Sequence, residues 1–333
     1  VRVSGSFVAA TAMGGAFASL SEDTESGKPE FSPGSGAISG FLKALAEEMP
    51  ALNIRAVDCD PADSLEEIAT QLTNEFVTPS AEIEVGYRSG SRHILDICEV
   101  PIENTGQPNL NIDSNCRILM TGGARGITAA VALELARRFQ PTLLLVGRTP
   151  LAETEPSETA GVTDEKQLKS ILAEQLKVKQ EKVRPMDVEK ACNRLLAQRE
   201  IRENLALLRA AGSEVRYYQA DVTDAETFGR LLSDIYDEYG RIDGVVHGAG
   251  RIEDKLVRDK DVQSFDRVFD TKADSLFVLA RSLRPENLRF FALFSSVAGR
   301  FGNAGQADYG ASNEIYNKAA VYLNRLWPGR VIA

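Results

Sequence analysis

The polar residues with chemical potential gather at the carboxyl ends of predicted strands, the edge where open parallel sheets hold ligands. Five strand ends carry them. The first closes in Thr121, Gly122, Gly123, Ala124, Arg125, Gly126 and Ile127, and the second in Gly147-Arg148. The third closes in Asp221-Val222, the fourth in His247, Gly248, Ala249 and Gly250, and the fifth in Ser295-Ser296. One such ending reads as an ordinary strand-to-helix turn; five on one edge do not. In the first, Gly122 and Gly126 let the backbone approach a pyrophosphate, whose charge then sits at the N-terminus of the helix starting near Gly126. Arg125 and Arg148 bring guanidinium groups to where a 2′-phosphate is gripped. Arg148 stands 22 residues after Gly126, where a fold preferring NAD carries Asp or Glu for the ribose hydroxyl. Arginine there implies NADP, the alternative being a solvated loop cation. Asp221 falls beside an adenine edge or caps the next helix.

Three further positions join them. Lys272 interrupts the apolar stripe Phe265, Val268, Phe269, Leu276, Leu279 and Leu283. A buried ammonium needs a partner or a task, unless the side chain snorkels to water. Tyr309 and Asn313 stand four apart on one helix face, thirteen residues beyond Ser296. Taken singly they read as a packed aromatic and a surface amide.

The elements that must position these residues alternate in type. From Arg117 onward, strands are expected at 117–121, 142–147, 214–220, 242–247, 289–295 and 330–333, with helices starting near Gly126, Thr223, Ser264 and Gln306. That alternation argues for a doubly wound parallel α/β sheet. Thr223 and Glu226 form a capping box ahead of Phe228, Leu231, Leu232 and Ile235. Between the second and third strands runs a long connection whose second half, 187–211, reads as one charged helix, an architectural or docking addition. Before all this lies a smaller α/β unit. Its first strand spans 3–10, followed by a Gly- and Ser-rich segment through Gly36 and a helix with the stripe Ile38, Phe41, Leu42 and Leu45. A strand at 53–57 leads to a helix opened by Ser64 and Glu67, with core face Leu65, Ile68, Leu72 and Phe76, and a hairpin of 82–87 with 92–97 closes the unit. Pro, Asn and Gly between Pro101 and Asn115 mark a linker.

Composition narrows the function classes. With 38 Lys and Arg against 48 Asp and Glu, the net charge of −10 disfavours nucleic-acid and anionic-membrane binding, which draw on basic surface. No apolar run approaches the roughly 20 residues that span a bilayer. The four cysteines form no CxxC pair and no signal peptide precedes them, so a reducing, cytoplasmic setting is expected. Two histidines are too few for an obvious zinc site, and no metal is expected.

The motifs TGGARGI (121–127), GRT (147–149), ADVTD (220–224), HGAG (247–250) and FSSVAGRFGNAGQADYGASN (294–313), with Lys272, resemble the short-chain dehydrogenase/reductase family. Within it they resemble the ketoreductase domains of multidomain polyketide and polyunsaturated fatty-acid synthases. The resemblance covers 113–333 and implies a Rossmann fold holding NADPH on the five strand ends named above. It implies that 1–112 form a truncated, cofactor-free Rossmann-like structural subdomain ahead of the catalytic subdomain 113–333.

The family's catalytic roles then fall on single residues. Tyr309 resembles the general acid that protonates the developing alkoxide, and Ser296 the hydroxyl that holds the carbonyl. Free short-chain enzymes carry Lys four after the Tyr; here Asn313 stands there, and Lys272 supplies the amine one helix earlier, as in synthase ketoreductases. A phenol with pKa about 10 is a sluggish acid at neutral pH, and a nearby cation favours its ionised form. The implied substrate is a β-ketoacyl thioester on the phosphopantetheine arm of an acyl carrier protein, among other synthase domains. Ile252-Glu-Asp254 resembles the signature of enzymes giving the 3R alcohol, with Asp254 at its last position. Thr128 departs from the family's third glycine, the insertion 150–212 exceeds what most members carry, and the end at Ala333 suggests a fragment of a longer polypeptide. The rivals are a stand-alone carrier-protein reductase, which has no use for 1–112, and a silent scaffolding domain, expected to lack the Ser, Tyr or Lys.

Overall fold

The computed structural model describes residues 5–18, 31–78, 80–99, 101, 110–151, 154–179, 182–327 and 330–333. Residues 19–30 of the expected Gly- and Ser-rich segment, 102–109 of the expected linker, and the start of the first strand lie outside the described residues. Two compact units form: Val1–Asn111 with Thr223–Ala333, and Ile112–Val222. The sequence reading divides the chain once, after residue 112; packing divides it after 111 and again after 222. No described helix is long and apolar enough to cross a membrane.

The first unit begins with β1 (Gly5–Thr11), α1 (Gly36–Glu48), β2 (Leu52–Cys59), α2 (Leu65–Val77), β3 (Glu84–Arg88) and β4 (Ser91–Ile94). Strands β1, β2 and β3 are parallel, and β4 returns antiparallel on β3. The hairpin turn Ser89-Gly90 has φ of 51° and 74°, the doubly left-handed geometry that matches strand twist. Helix α2 opens on the expected capping box of Ser64 and Glu67. Its inner face is not the expected one: Leu65 is 86% and Phe76 52% exposed, while Gln71 and Glu75 are buried. Arg55 on β2 is the reason. Its guanidinium is fully buried and needs a carboxylate, so the helix turns Glu75 inward to accept from Arg55, from Arg92 Nε at 2.6 Å and from the Tyr87 hydroxyl at 2.6 Å.

The second unit holds β5 (Arg117–Thr121), α3 (Gly126–Phe139), β6 (Thr142–Gly147), α4 (Glu165–Lys179), α5 (Pro185–Ala210) and β7 (Val215–Gln219). The three strands are parallel, and Ile118–Thr121 and Leu143–Val146 are wholly buried, the continuous apolar run a parallel strand requires. The long connection resolves into α4 and the expected charged helix α5.

The first unit resumes with α6 (Ala225–Tyr239), β8 (Gly244–His247), α7 (Val262–Ser282), β9 (Phe290–Leu293), α8 (Val297–Phe301), α9 (Ala307–Leu326) and β10 (Val331–Ile332). Strands β8, β9 and β10 are parallel. Both α6 and α7 open on carboxylate caps, one of them not the expected residue. Asp224, not Thr223, accepts from Thr227 N to open α6, and α7 opens on Asp261, which accepts from Ser264 N. A carboxylate at the N-cap satisfies an orphan donor and complements the positive end of the helix.

Helix α1 is buried on two sides, which its apolar stripe does not foretell. Leu42 and Leu45 enter the core beside β2, but Ile38 is 37% exposed. The second buried side is made of glycines and a lysine against α9. A Cβ on Gly40 would lie 2.3 Å from Gly310 O, and one on Gly36 2.9 Å from Glu314 O. Around this seam runs a buried chain of alternating charge: Arg300 pairs with Glu84, Glu84 with Lys43 at 3.0 Å, Lys43 with Glu314 at 3.4 Å, and Glu314 with Lys318 at 3.0 Å. Each charge there has an opposite neighbour, the condition under which burial is tolerated.

The seam gives a paired prediction. Gly40→Ala should lower unfolding free energy by about 1–3 kcal/mol through overpacking. Gly229→Ala, at a site with nothing within 4 Å of the new Cβ, should raise it by about 0.5–1 kcal/mol as a helix-interior glycine is replaced. Urea unfolding measures both, and equal effects would show that the helices do not touch at Gly40.

Candidate active site

Lys272 is the centre from which the site is built. It sits 3% exposed on α7, and its Nζ donates to the carbonyl oxygen of Phe294, just past β9, at 2.7 Å. The ammonium lies 5.6 Å from the ring centre of Tyr309 and 4.3 Å from that of Tyr316. These tyrosines stand seven apart on α9, hence on one face. The side chain does not snorkel. Burial pushes its pKa down to about 7, so near neutrality the amine both holds and releases a proton.

Helix α8 brings the serine to the same helix. Ser296 is its N-cap, and its Oγ accepts from Ala298 N at 3.2 Å; the hydroxyl proton is what remains to offer an external acceptor. Ser295 is tied inward instead, donating to Asn317 Oδ1 at 2.8 Å. Helices α8 and α9 meet backbone to backbone: a Cβ on Gly299 would lie 3.0 Å from Asn313 Cβ, and one on Gly310 3.2 Å from Ala298 O. Ser296 and Tyr309 flank this contact. Asn313 is fully buried, its Nδ2 donating to Tyr309 O at 2.7 Å, and its Oδ1 has no hydrogen-bond partner among the described residues.

The loop after β8 is pinned around the start of α9. Asp254 accepts from Gln306 Nε2, the α9 N-cap residue, at 3.1 and 3.2 Å. Glu48 at the end of α1 accepts from Val257 N at 2.7 Å and Gly305 N at 3.0 Å. Lys260 pairs with Asp308 at 2.6 Å with both side chains buried, and Glu253 binds Arg267 and Ser264. A hydrogen bond from Arg267 foremost pulls the Glu253 carboxyl down to about 2. Gly250 comes close beneath Lys272, its added Cβ falling 3.4 Å from Cε. Gly248 and Ala249 are half-buried. The His247 side chain points away from any ligand role: it is fully buried, 2.8 Å from Ser275 Oγ and packed on Tyr316. Burial, then the charge of Lys272, lowers its pKa to about 3, so it is neutral.

The second unit carries the glycine loop. Thr121 is buried at its start, Gly122 and Gly126 take φ of 71° and 57°, and a Cβ on Gly123 would fall 2.8 Å from Met120 Cβ. Ile127 is exposed, and Thr128 and Val222 are buried. The loop holds an anion: the Glu200 carboxylate of α5 accepts from Gly126 N at 3.1 Å and from Arg125 Nε at 2.7 Å. The loop and Arg125 thus receive one carboxylate through a backbone N–H and a guanidinium. Arg148 and Asp221 face each other at 3.8 Å, both about half exposed.

Within the first unit the structure thus gathers Lys272, Tyr309, Asn313, Ser296 and Asp254, and within the second the loop 121–127, Arg148 and Asp221. Sequence reasoning missed Tyr316, Glu48, the pair Lys260–Asp308, and Glu200. Their partners lie far off in the chain, 75 residues for Glu200 and Arg125, and no local pattern signals them.

A nucleotide-binding α/β oxidoreductase is the class that the parallel strands and the site describe. The profile of the KR domain family matches residues 116–327, and the chain belongs to that family of ketoreductase domains. One of the polyunsaturated fatty acid synthase subunits of Thraustochytrium sp. is 30% identical over 299 residues, 87% of this chain and 11% of that protein. Polyketide synthase PksN of Bacillus subtilis is 28% identical over 87% of this chain and 4% of its own length. The chain therefore spans a small part of its multidomain relatives. Among solved structures, an N-terminal ketoreductase from a macrolactin assembly line superposes with a TM-score of 0.69 at 21% identity, covering 98% of this chain and 54% of that one. An A-type ketoreductase of a modular polyketide synthase gives 0.67 at 20% identity, covering 96% and 56%. These confirm the doubly wound, Rossmann-type α/β fold.

The buried amine predicts a pH dependence independent of activity. Lys272 titrates at about 7 when folded against 10.5 ordinarily, so between those values the unfolded chain binds a proton that the folded chain does not. Its contribution makes stability rise with pH across that window. Lys272→Met should therefore be more stable than wild type at and below neutrality, on the order of a few kcal/mol, with the advantage shrinking toward pH 10. Urea unfolding at several pH values reads this; a gap constant with pH would contradict a depressed amine.

Proposed function

We propose that the chain reduces the β-keto group of an acyl thioester, carried on the phosphopantetheine arm of an acyl carrier protein, to the 3R β-hydroxyacyl thioester. NADPH is the reductant, and the setting is cytoplasmic, among the other domains of a polyketide or polyunsaturated fatty-acid synthase. One observation carries the reading: a buried amine near neutrality set against the Tyr309 ring, with Ser296 capping the helix packed on that tyrosine's helix. The synthase names of the relatives support the setting.

The glycine loop, Arg125, Arg148 and Asp221 hold the dinucleotide, which supplies a hydride to C3 when bound. Ser296 donates its hydroxyl proton to the ketone oxygen and fixes the carbonyl. Tyr309 transfers its phenolic proton to that oxygen as negative charge develops, leaving the alcohol. The adjacent Lys272, titrating near neutrality, returns a proton to the phenolate so formed. Asn313 ties the α9 backbone at Tyr309 and offers its buried Oδ1 as an acceptor. Asp254, on Gln306 at the entry to α9, sets the face from which the chain approaches. Residues 1–112 act as the structural subdomain and 113–333 as the catalytic one.

Tyr309→Phe should cut turnover, followed as loss of 340 nm absorbance with a β-ketoacyl thioester, by about 10²–10⁴-fold while NADPH affinity is kept. Turnover near wild type would remove Tyr309 from the chemistry. Chiral chromatography of the wild-type product should return the 3R alcohol, and a 3S product would refute the role given to Asp254.

A further inference from the structure

The long insertion reaches the phosphate loop through one face of α5. Glu200 and Asn204 stand four apart, hence side by side, and both grip the loop. Asn204 Nδ2 donates to Ala124 O at 2.9 Å, while the Glu200 carboxylate takes the Arg125 guanidinium and the first N–H of α3. The helix beneath them is anchored: Ile201, Leu205 and Leu208 are buried, and Gln198 donates to Pro150 O at 2.6 Å, just past Arg148. Partial burial works upward on the Glu200 carboxyl, but the hydrogen bonds from Arg125 and Gly126 outweigh it and hold it below the usual range. It is therefore an anion at neutral pH, seated where two donors converge.

We infer that Glu200 is a cofactor-specificity residue: its carboxylate competes with the 2′-phosphate of the dinucleotide for Arg125. The inference rests on reading this loop as a dinucleotide phosphate seat. A 2′-phosphate arriving at Arg125 must displace the carboxylate, because two anions on one guanidinium repel. The pair is about half exposed, so the exchange is a side-chain movement in water and needs no unfolding. A dinucleotide lacking the 2′-phosphate makes no such demand on Arg125. The insertion thus narrows the preference for NADPH over NADH that the two arginines would otherwise set, and makes NADPH affinity depend on releasing the loop from α5.

The test is equilibrium binding of NADPH and NADH, read by nicotinamide fluorescence, to the wild-type chain, Glu200→Gln, Arg125→Gln and the double variant. Glu200→Gln should tighten NADPH by about five- to thirtyfold, the scale of one partly screened charge contact, with NADH changed by less than about twofold. In the Arg125→Gln background the gain should vanish, as coupled groups require. Weaker NADPH binding in Glu200→Gln would mean the carboxylate merely orients Arg125, and equal tightening of both dinucleotides would mean it faces the pyrophosphate; either overturns the inference, as does no change. Glu200→Ala repeats the comparison without a polar substitute. A failure of the cofactor reading itself looks different: wild type binds neither dinucleotide, and the inference falls with it.

Discussion

The constraint on which the first unit depends is the seating of α9 between two other helices at van der Waals distance. Gly40 of α1 and Gly310 of α9 meet backbone to backbone, and Gly299 of α8 meets Asn313 from another side. Tyr309 and Asn313 belong to the turn so gripped, and Ser296 caps the helix that grips it. A side chain at Gly40 would clash and one at Gly299 or Gly310 would crowd, so backbone contact sets how α1, α8 and α9 lie together. Long flexible side chains would hold these elements less closely.

Charge is the second organising element. A chain with net charge −10 nevertheless buries Lys272, Arg55, Lys43, Lys260 and Lys318. Four of the five are neutralised by buried carboxylates, Arg55 by Glu75, Lys260 by Asp308, and Lys43 and Lys318 by Glu314. These pairs fix registers between elements far apart in sequence: β2 with α2, the loop after β8 with α9, and α1 with α9. Lys272 differs. It meets a carbonyl and two aromatic faces, and burial loosens its hold on the proton. The contrast sets Lys272 apart from the paired cations.

The N-terminal residues contribute more than a neighbouring fold. Glu48 holds two loops that frame the start of α9, and the charge chain through Lys43 and Glu84 ends on Arg300 of α8. Helices α8 and α9 are thereby braced by residues more than two hundred positions earlier. In the second unit the insertion plays a comparable part for the glycine loop, through Asn204 and Glu200 on α5.

Much of this was legible in the sequence. The strand ends, the glycine loop, the α7 stripe interrupted by Lys272 and the spacing of Ser296, Tyr309 and Asn313 are local patterns, and local patterns follow from the periods of helix and strand. The parallel strands fell near their expected places for the same reason. What the tertiary structure alone decided were the pairings. Leu65 and Phe76 lost the inner face of α2 to Glu75 because Arg55 lies fully buried opposite. Ile38 was left outside because α1 buries its glycines on α9. Arg125 met Glu200 from an insertion 75 residues on. In each case a charge or a backbone surface found its partner across a long stretch of chain. Burial energy of that kind depends on which groups the fold brings together, and no spacing within a segment encodes it.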